Sequence, residues 1–598
     1  MLPRGLTALP TELISRMIDL ADPATHLDIA CTCRRLLECS KDVLEHHKQA
    51  HQKYKVVSDR DPATIPTLLR SASGLTSPID AWHIRSLEIW GSRWEWNEWR
   101  PWKLRPGPAG RRCHAFDHSR PLEWSISRSE LAHYLKSMRE ELRLPEELVN
   151  SARVAFDQGN DSVAQMLLIV LCPRLQSLKF IYNRHDKVGK RRSLHWLTFV
   201  IARSLLDDSW PPGLQNLQEV AVGVHSETCF NDDVVGLWYT RTSFTAILRL
   251  PSIKSVYFRG LRPEDKPTID GEPNDDYDPD HEPDPASTEG LTHSIYRLPL
   301  RCSTVENLYL ESIGDYDTFT QDLAEAPKAL KTYTLHSGEL ELHTITDFDI
   351  LLESFVHNQK ESLESIMVYD AGEFQGYRCT LYQLGSEIDV SELPLRQIHL
   401  QLDDLVHNAS FWFDSKPWYR SASAIWEDET QRQICVDLVA GLFPASLEVL
   451  VLGCCDYAVR LGGDMRMEED ILIKIIESGK LPALKAIYIH QPDSLPVDAF
   501  KKLPEVGWDN GVDVHVKSNL RTPRHQVQFP MAPQAKSYLA HREIIETEFD
   551  PFSGRWVVPG QQTEQDNEAE GLPAEHTTED LDSGGETDDD IAELLLQW

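Results

Sequence analysis

Nowhere in the 598 residues do eighteen apolar residues run together, and the longest apolar stretch, residues 166–172, suits a buried element rather than a bilayer crossing. The opening MLPRGLTALPTEL has no apolar run behind its positive charge, so no secretory signal is expected. Eleven cysteines, an odd number without an export signal, read as reduced thiols of a cytoplasmic and/or nuclear protein. Cations are scarce: 60 Lys and Arg stand against 94 Asp and Glu, a formal net charge of −34. Sequence-independent nucleic-acid binding needs cationic patches that release counterions, and this balance argues against it. Catalytic signatures are missing as well, with no G-x-S-x-G, H-E-x-x-H, phosphate loop or G-x-G-x-x-G after a strand. No catalytic residue, cofactor or metal is therefore expected, and recognition is the expected activity.

What is present is a phrase of three apolar residues at i, i+3 and i+5. It reads Leu175, Leu178, Phe180; Leu217, Val220, Val222; Ile253, Val256, Phe258; Val305, Leu308, Leu310; Leu330, Tyr333, Leu335; Leu363, Ile366, Val368; Leu395, Ile398, Leu400; Leu447, Leu450, Leu452; and Leu484, Ile487, Ile489. A tenth copy, Ile84, Leu87, Ile89, stands apart upstream. The last two residues of each copy are two apart, so on a strand they share one face. One copy cannot complete a core, but strands laid side by side can. The intervals leave room for helices, and apolar residues at three- and four-residue steps place them at 194–206, 319–326, 348–356, 434–443 and 471–476. Ser129 to Arg143 is a further helix candidate, and Val512, Val514 and Val516 alternate as a last strand.

The phrase Leu-x-x-Leu-x-Leu resembles the leucine-rich repeat family over about half the chain. The polar residue that the family places three after the last Leu recurs only as Asn183 and Cys455. The resemblance implies an α/β solenoid: an irregular array of short parallel strands with helices on the outer face.

Residues 5–47 carry a different signature. Leu13, Ile14, Met17, Ile18 and Ala21 give one apolar helical face after Pro10, Pro23 starts a second helix with Leu27 and Ile29, and a third carries Leu36, Leu37, Val43 and Leu44. Three short helices make too little core to be robust alone. The order Leu9-Pro10-x-Glu12-Leu13-Ile14, Met17-Ile18, Leu27-x-Ile29-Ala30, Cys33-Arg34-x-Leu36 resembles an F-box, by which substrate receptors attach to the Skp adaptor of cullin-based ubiquitin ligases. The resemblance implies that Leu9, Pro10, Leu13, Ile14 and Ile18 lie in the adaptor interface, with Ile29, Cys33 and Leu36 facing the adaptor or bracing the helices.

The remaining features are read as structural. Cys31-x-Cys33 with His46 and His47 lacks the spacing of a tetrahedral zinc site. Trp82, Trp90, Trp94, Trp96, Trp99 and Trp102 read as an aromatic cluster sealing the end of the array, with arginines such as Arg93 and Arg100 covering its rim. The aromatic residues of 403–433 are either packed on the solenoid or available to a partner. Residues 263–290 hold eleven acids against Lys266, and residues 559–598 hold thirteen with no Lys or Arg, so both read as a disordered acidic insert (262–290) and tail. Between the inward residues of each copy, Lys179, Ala221, Tyr257, Tyr309, Thr334, Met367, His399, Val451 and Tyr488 would form one exposed surface. Of these Tyr257, Tyr309, Met367, His399 and Tyr488 are the candidate target-binding residues.

The expected organisation is a helical head at 5–47, a linker and Trp-rich cap at 48–160, repeats at 161–520, a second cap with a helix near 534–548 and a turn setting Trp556 at 521–558, and the acidic tail at 559–598. The expected function is a non-catalytic substrate receptor whose partners are the adaptor, through it a cullin, and a target protein, with no nucleic acid and no membrane. The alternative is a scaffold whose head only caps the solenoid.

Overall fold

The structure is a computed structural model, and it describes residues 9–102, 119–124, 126–181, 192–224, 239–262, 268–269, 272–273, 287–296, 298–313, 320–336, 348–369, 390–401, 429–453, 466–490, 500–517, 548–550 and 555–557. The chain divides into two units, Met1–Ile544 with Phe549–Arg555, and Ile545–Glu548 with Trp556–Trp598. Of the second, only Glu548, Trp556 and Val557 are described, and they lie in the short strands Glu548–Asp550 and Arg555–Val557. The rest of the expected second cap and the whole acidic tail fall outside the described residues, as do Asn183, Cys455 and the aromatic residues of 403–433.

The first unit is built on one 13-stranded sheet whose neighbours follow sequence order. Its strands are β1 (Val56–Ser58), β2 (Ser86–Ile89), β3 (Ser177–Ile181), β4 (Glu219–Val224), β5 (Ser255–Arg262), β6 (Asn307–Ile313), β7 (Thr332–His336), β8 (Ser365–Tyr369), β9 (Gln397–Gln401), β10 (Val449–Gly453), β11 (Ala486–His490) and β12 (Asp513–Lys517). The two-residue strand Tyr239–Thr240 pairs with the end of β5. Every pairing along the path is parallel. The result is a solenoid-like α/β fold, and β3 to β11 are the nine regular phrases.

The register is that of the phrase. Leu87, Leu178, Val220, Val256 and Leu308 face one another across successive strands, and so do Phe180, Val222, Phe258 and Leu310. Both rows are buried in one continuous core with the helices that cover them. Four of the expected helices appear as Ser193–Asp207, Phe348–Asn358, Glu429–Gly441 and Arg466–Ser478, and a short one as Thr320–Glu325. All but the last residue of the 166–172 run lies in a buried helix, Ser162–Leu171, and Cys172 follows as its C-cap.

A second repeating position lies one residue after the first apolar residue of each phrase. Its carbonyl accepts the two N–H groups that open the next strand: Gln218 and Glu219 bond to Gln176, Lys254 and Ser255 to Gln218, Glu306 and Asn307 to Lys254, and the pattern runs on through Glu448 to Lys485 and Ala486. Many of these residues are charged and alternate in sign. Glu306 lies between Lys254 and Lys331, and Glu448 between Arg396 and Lys485, each in ion-pair contact. Exposed pairs contribute about 0–1 kcal/mol each, so their larger consequence is register, because a slipped strand would draw each charge away from its opposite-charge neighbours.

Three expectations are corrected. The ladder begins at Val56 rather than near 161, so the isolated phrase Ile84, Leu87, Ile89 is β2 of the same sheet, and helices Arg128–Glu140, Glu146–Gln158 and Ser162–Leu171 lie between β2 and β3. The acidic insert carries structure: Thr268–Ile269 and Glu272–Pro273 pair antiparallel, and a helix, Thr288–Tyr296, starts inside it and buries Leu291 and Ile295 in the core. Glu548, expected at the end of a helix, lies in a strand.

Candidate docking site on the helical head

Four helices form the head: α1 (Thr11–Asp19), α2 (His26–Thr32), α3 (Arg34–Cys39) and α4 (Lys41–Tyr54). Pro10 sits at the N-cap of α1, where its missing N–H is not needed, and its carbonyl accepts from Leu13 and Ile14. Arg35 Nη2 donates to the Leu9 carbonyl at 2.7 Å, which ties the entry of α1 to α3. The expected third helix is two, divided at Ser40, whose hydroxyl donates to Leu36 O at 2.8 Å.

The head core gathers Ile14, Ile18, Leu36, Val43 and Ala50, with Ile79 contributed by the short helix Ile79–Trp82 before β2. Leu9, Ile29 and Cys33 pack against it half-buried. Of the residues expected in the adaptor interface, Ile14 and Ile18 are therefore internal, at 0% and 2% exposure. Leu36, which was to face the adaptor or brace the helices, braces them.

The adjoining face of α1 is open. Leu13, Met17 and Leu20 are spaced i, i+4 and i+7, which puts them on one stripe, and their exposures are 53%, 49% and 73%. Leu27 on α2 and Leu37 on α3 are also exposed, and Pro10 lies in solvent at the head of the stripe. Full burial of such a side chain contributes about 1.5–3 kcal/mol, so the stripe is a sizeable unsatisfied surface for a unit of this size.

A line of imidazoles connects the head to the array. His26 Nε2 donates to the Ala21 carbonyl at 3.1 Å, which leaves its Nδ1 to accept from His47 Nε2 at 2.8 Å; His47 Nδ1 then accepts from His83 Nε2 at 2.8 Å. The carbonyl fixes the tautomer of every member, and the neutral forms satisfy each contact. Burial and the neighbouring His26 and His46 hold His47 down at about 4, and burial with His47, His51, Arg85 and Arg174 does the same for His83. His46 bonds separately to Asp80 at 2.9 Å.

The tryptophan segment lies against the carboxyl ends of β1 and β2, and one arginine is its centre rather than its rim. Arg93 is 0% exposed. Its Nη1 donates to Asp161 Oδ2 at 3.1 Å, its Nη2 to the carbonyls of Asp59 and Arg60, and its Nε to Arg100 O. Asp59 receives Trp90 N–H at 2.8 Å and Gln165 Nε2 at 2.9 Å. Burial outweighs these bonds and the guanidinium 3.9 Å away, pushing the Asp59 carboxyl up to about 7. Trp99 Nε1 donates to Gly159 O, and Gly159, in the left-handed region at φ +84, lies so near Trp96 that a Cβ would meet its ring at 2.6 Å. The network joins three chain segments.

The candidate target-binding row is in register across the sheet, but most of it is not open. Tyr257, Met367 and His399 are buried, while Tyr309 and Tyr488 are half-buried. Tyr257 packs its ring 5.0 Å from that of Tyr309, and Tyr488 stacks 4.7 Å from His515. Thr334 and Val451 in the same row are also buried. The expectation of an exposed sheet surface is thus corrected for these positions.

No family profile matches this chain, and no curated protein matches its sequence. Among the described residues no group of His, Cys, Asp and Glu is arranged to hold a metal, and no helix is long and apolar enough to cross a membrane.

Proposed function

We propose that the chain is a substrate receptor: the stripe Leu13, Met17, Leu20, with Leu27 and Leu37, docks on a Skp-type adaptor and through it a cullin, while the leucine-rich array holds a target protein. The observation that carries the reading is that α1 is apolar on two faces, one buried in the head and the other open. The chain then contributes no catalytic group; it holds its target near a ligase, and proximity replaces a bimolecular encounter.

A second reading has its own support. Ile79 of the array shares the head core, as expected of a helical cap on a scaffold protein. The stripe separates the two readings, because a cap needs only the inner face of α1. The test is co-expression of the full chain with the adaptor followed by size exclusion, beside a Leu13→Glu, Met17→Glu variant. Both residues are exposed, so the variant is expected to fold with stability changed by about 0.5 kcal/mol or less and to lose co-elution. Unchanged co-elution would move the adaptor contact elsewhere, and a wild-type chain that ignores the adaptor would favour the scaffold.

A further inference from the structure

The charge alternation that runs from Lys254 to Lys485 fails at the amino-terminal end of the same row. There Arg85 and Ser86 donate their N–H groups to the Lys55 carbonyl, and Gln176 and Ser177 donate theirs to Arg85, so Lys55 and Arg85 are adjacent rungs of like charge. Arg174, exposed two residues before the next rung, adds a third cation. Trp82 joins the two arginines: its carbonyl and that of Ile84 accept from Arg85 Nη1 at 2.8 and 3.1 Å, and its ring lies 5.0 Å from the Arg174 guanidinium. His83 is the next residue, and His51 of α4 packs edge-on to it at 5.4 Å.

Among the described residues no carboxylate lies within ion-pair range of Lys55, Arg85 or Arg174; Asp80, the acid on that turn, is engaged by His46. This is an uncompensated cationic cluster in a chain of net charge −34. The relay also leaves His83 Nδ1 buried and without a hydrogen-bond partner. We propose that Arg85, Arg174 and His83 form a binding site for a phosphate-class anion. A dianion compensates more than one of these charges, and guanidinium forks match phosphate oxygens in pairs. Arg85 is held down at about 10 by burial and by repulsion from Arg174. A bound anion relieves that repulsion and favours the protonated His83, whose Nδ1–H then gains an acceptor. The site stands apart from the exposed stripe of α1 and does not rest on adaptor binding.

The experiment is calorimetric titration of the full chain at low ionic strength with inorganic phosphate and, separately, with a phosphoserine tripeptide, following tryptophan emission in parallel. Saturable binding with a change in emission is expected, weakened about tenfold in Arg174→Ala, whose exposed side chain can be removed without touching the core. Tighter binding of the peptide assigns the site to a phosphorylated side chain, and equal binding assigns it to the free anion. Arg85→Gln is a second probe, used once its melting temperature shows that it folds; otherwise Arg174→Ala decides. Absence of saturable binding for both probes, or a variant that binds as the wild type does, overturns the proposal.

Discussion

The head and the array solve the same problem differently. A strand of the array cannot finish its apolar row, and the next strand finishes it: Val256 lies between Val220 and Leu308, and all three are buried. Helix α1 has one row completed in this way, with Ile14 and Ile18 closed by Leu36 and Ile79, while the row of Leu13, Met17 and Leu20 stays open. Repetition makes the array self-sufficient. The head keeps a surface that only something outside the described residues can complete.

That contrast is broken most severely in the array. Arg93→Ala would leave the Asp59 and Asp161 carboxylates buried without their guanidinium, and a loss of about 3–5 kcal/mol is expected. Phe258→Ala would open a cavity beside Phe244 and Tyr239, whose rings lie 5.1 and 5.6 Å from it, with a similar cost of about 3–5 kcal/mol. Urea denaturation should show both as a lower midpoint of the main transition; an unchanged midpoint in either would mean that the array is not one cooperative core. Ile14→Ala is expected to cost about 2–5 kcal/mol, but locally. Hydrogen exchange should accelerate within residues 9–40 while the strands keep their protection, and acceleration that spreads through β3 to β11 would show that head and array unfold together.

Most of the array was legible because its signal is periodic. Leu178 and Phe180 point one way on a strand whatever surrounds them, and nine copies in register reinforce one another. The burial of Tyr257 and Met367 was not legible, since alternation separates the two faces of a strand but does not say whether the second face is covered. The start of the ladder is not legible because β1 is three residues long and offers only Val57 to the core. The central place of Arg93 is illegible for a related reason: its partners Asp59 and Asp161 are 34 and 68 residues away, and nothing in the tryptophan segment marks them. In the head, α1 reads as one apolar face in sequence, and only the packing of α3 and Ile79 divides it into Ile14 and Ile18 within and Leu13 and Met17 without.

The smallest effect concerns the relay between the two regions. His47 and His83 have folded pKa values of about 4, below the ordinary 6.5, so the unfolded chain binds protons that the folded junction refuses. Their contribution is complete above pH 6.5 and is lost as pH falls from there toward 4. The groups facing them act through the same junction: His26 and His46 lower His47, while His51, Arg85 and Arg174 lower His83. Asp59 runs the other way. Its pKa is raised from 3.8 to about 7, so its contribution is complete below 3.8 and is lost as pH rises through 7. Exchange rates of head amides should therefore rise on mild acidification while amides around Arg93 do not follow. In a His47→Gln, His83→Gln variant the head's acid sensitivity should flatten, because the two imidazoles held down by the junction would be gone. An identical acid response in the variant would place the sensitivity outside the relay and remove the relay as the link between the two regions.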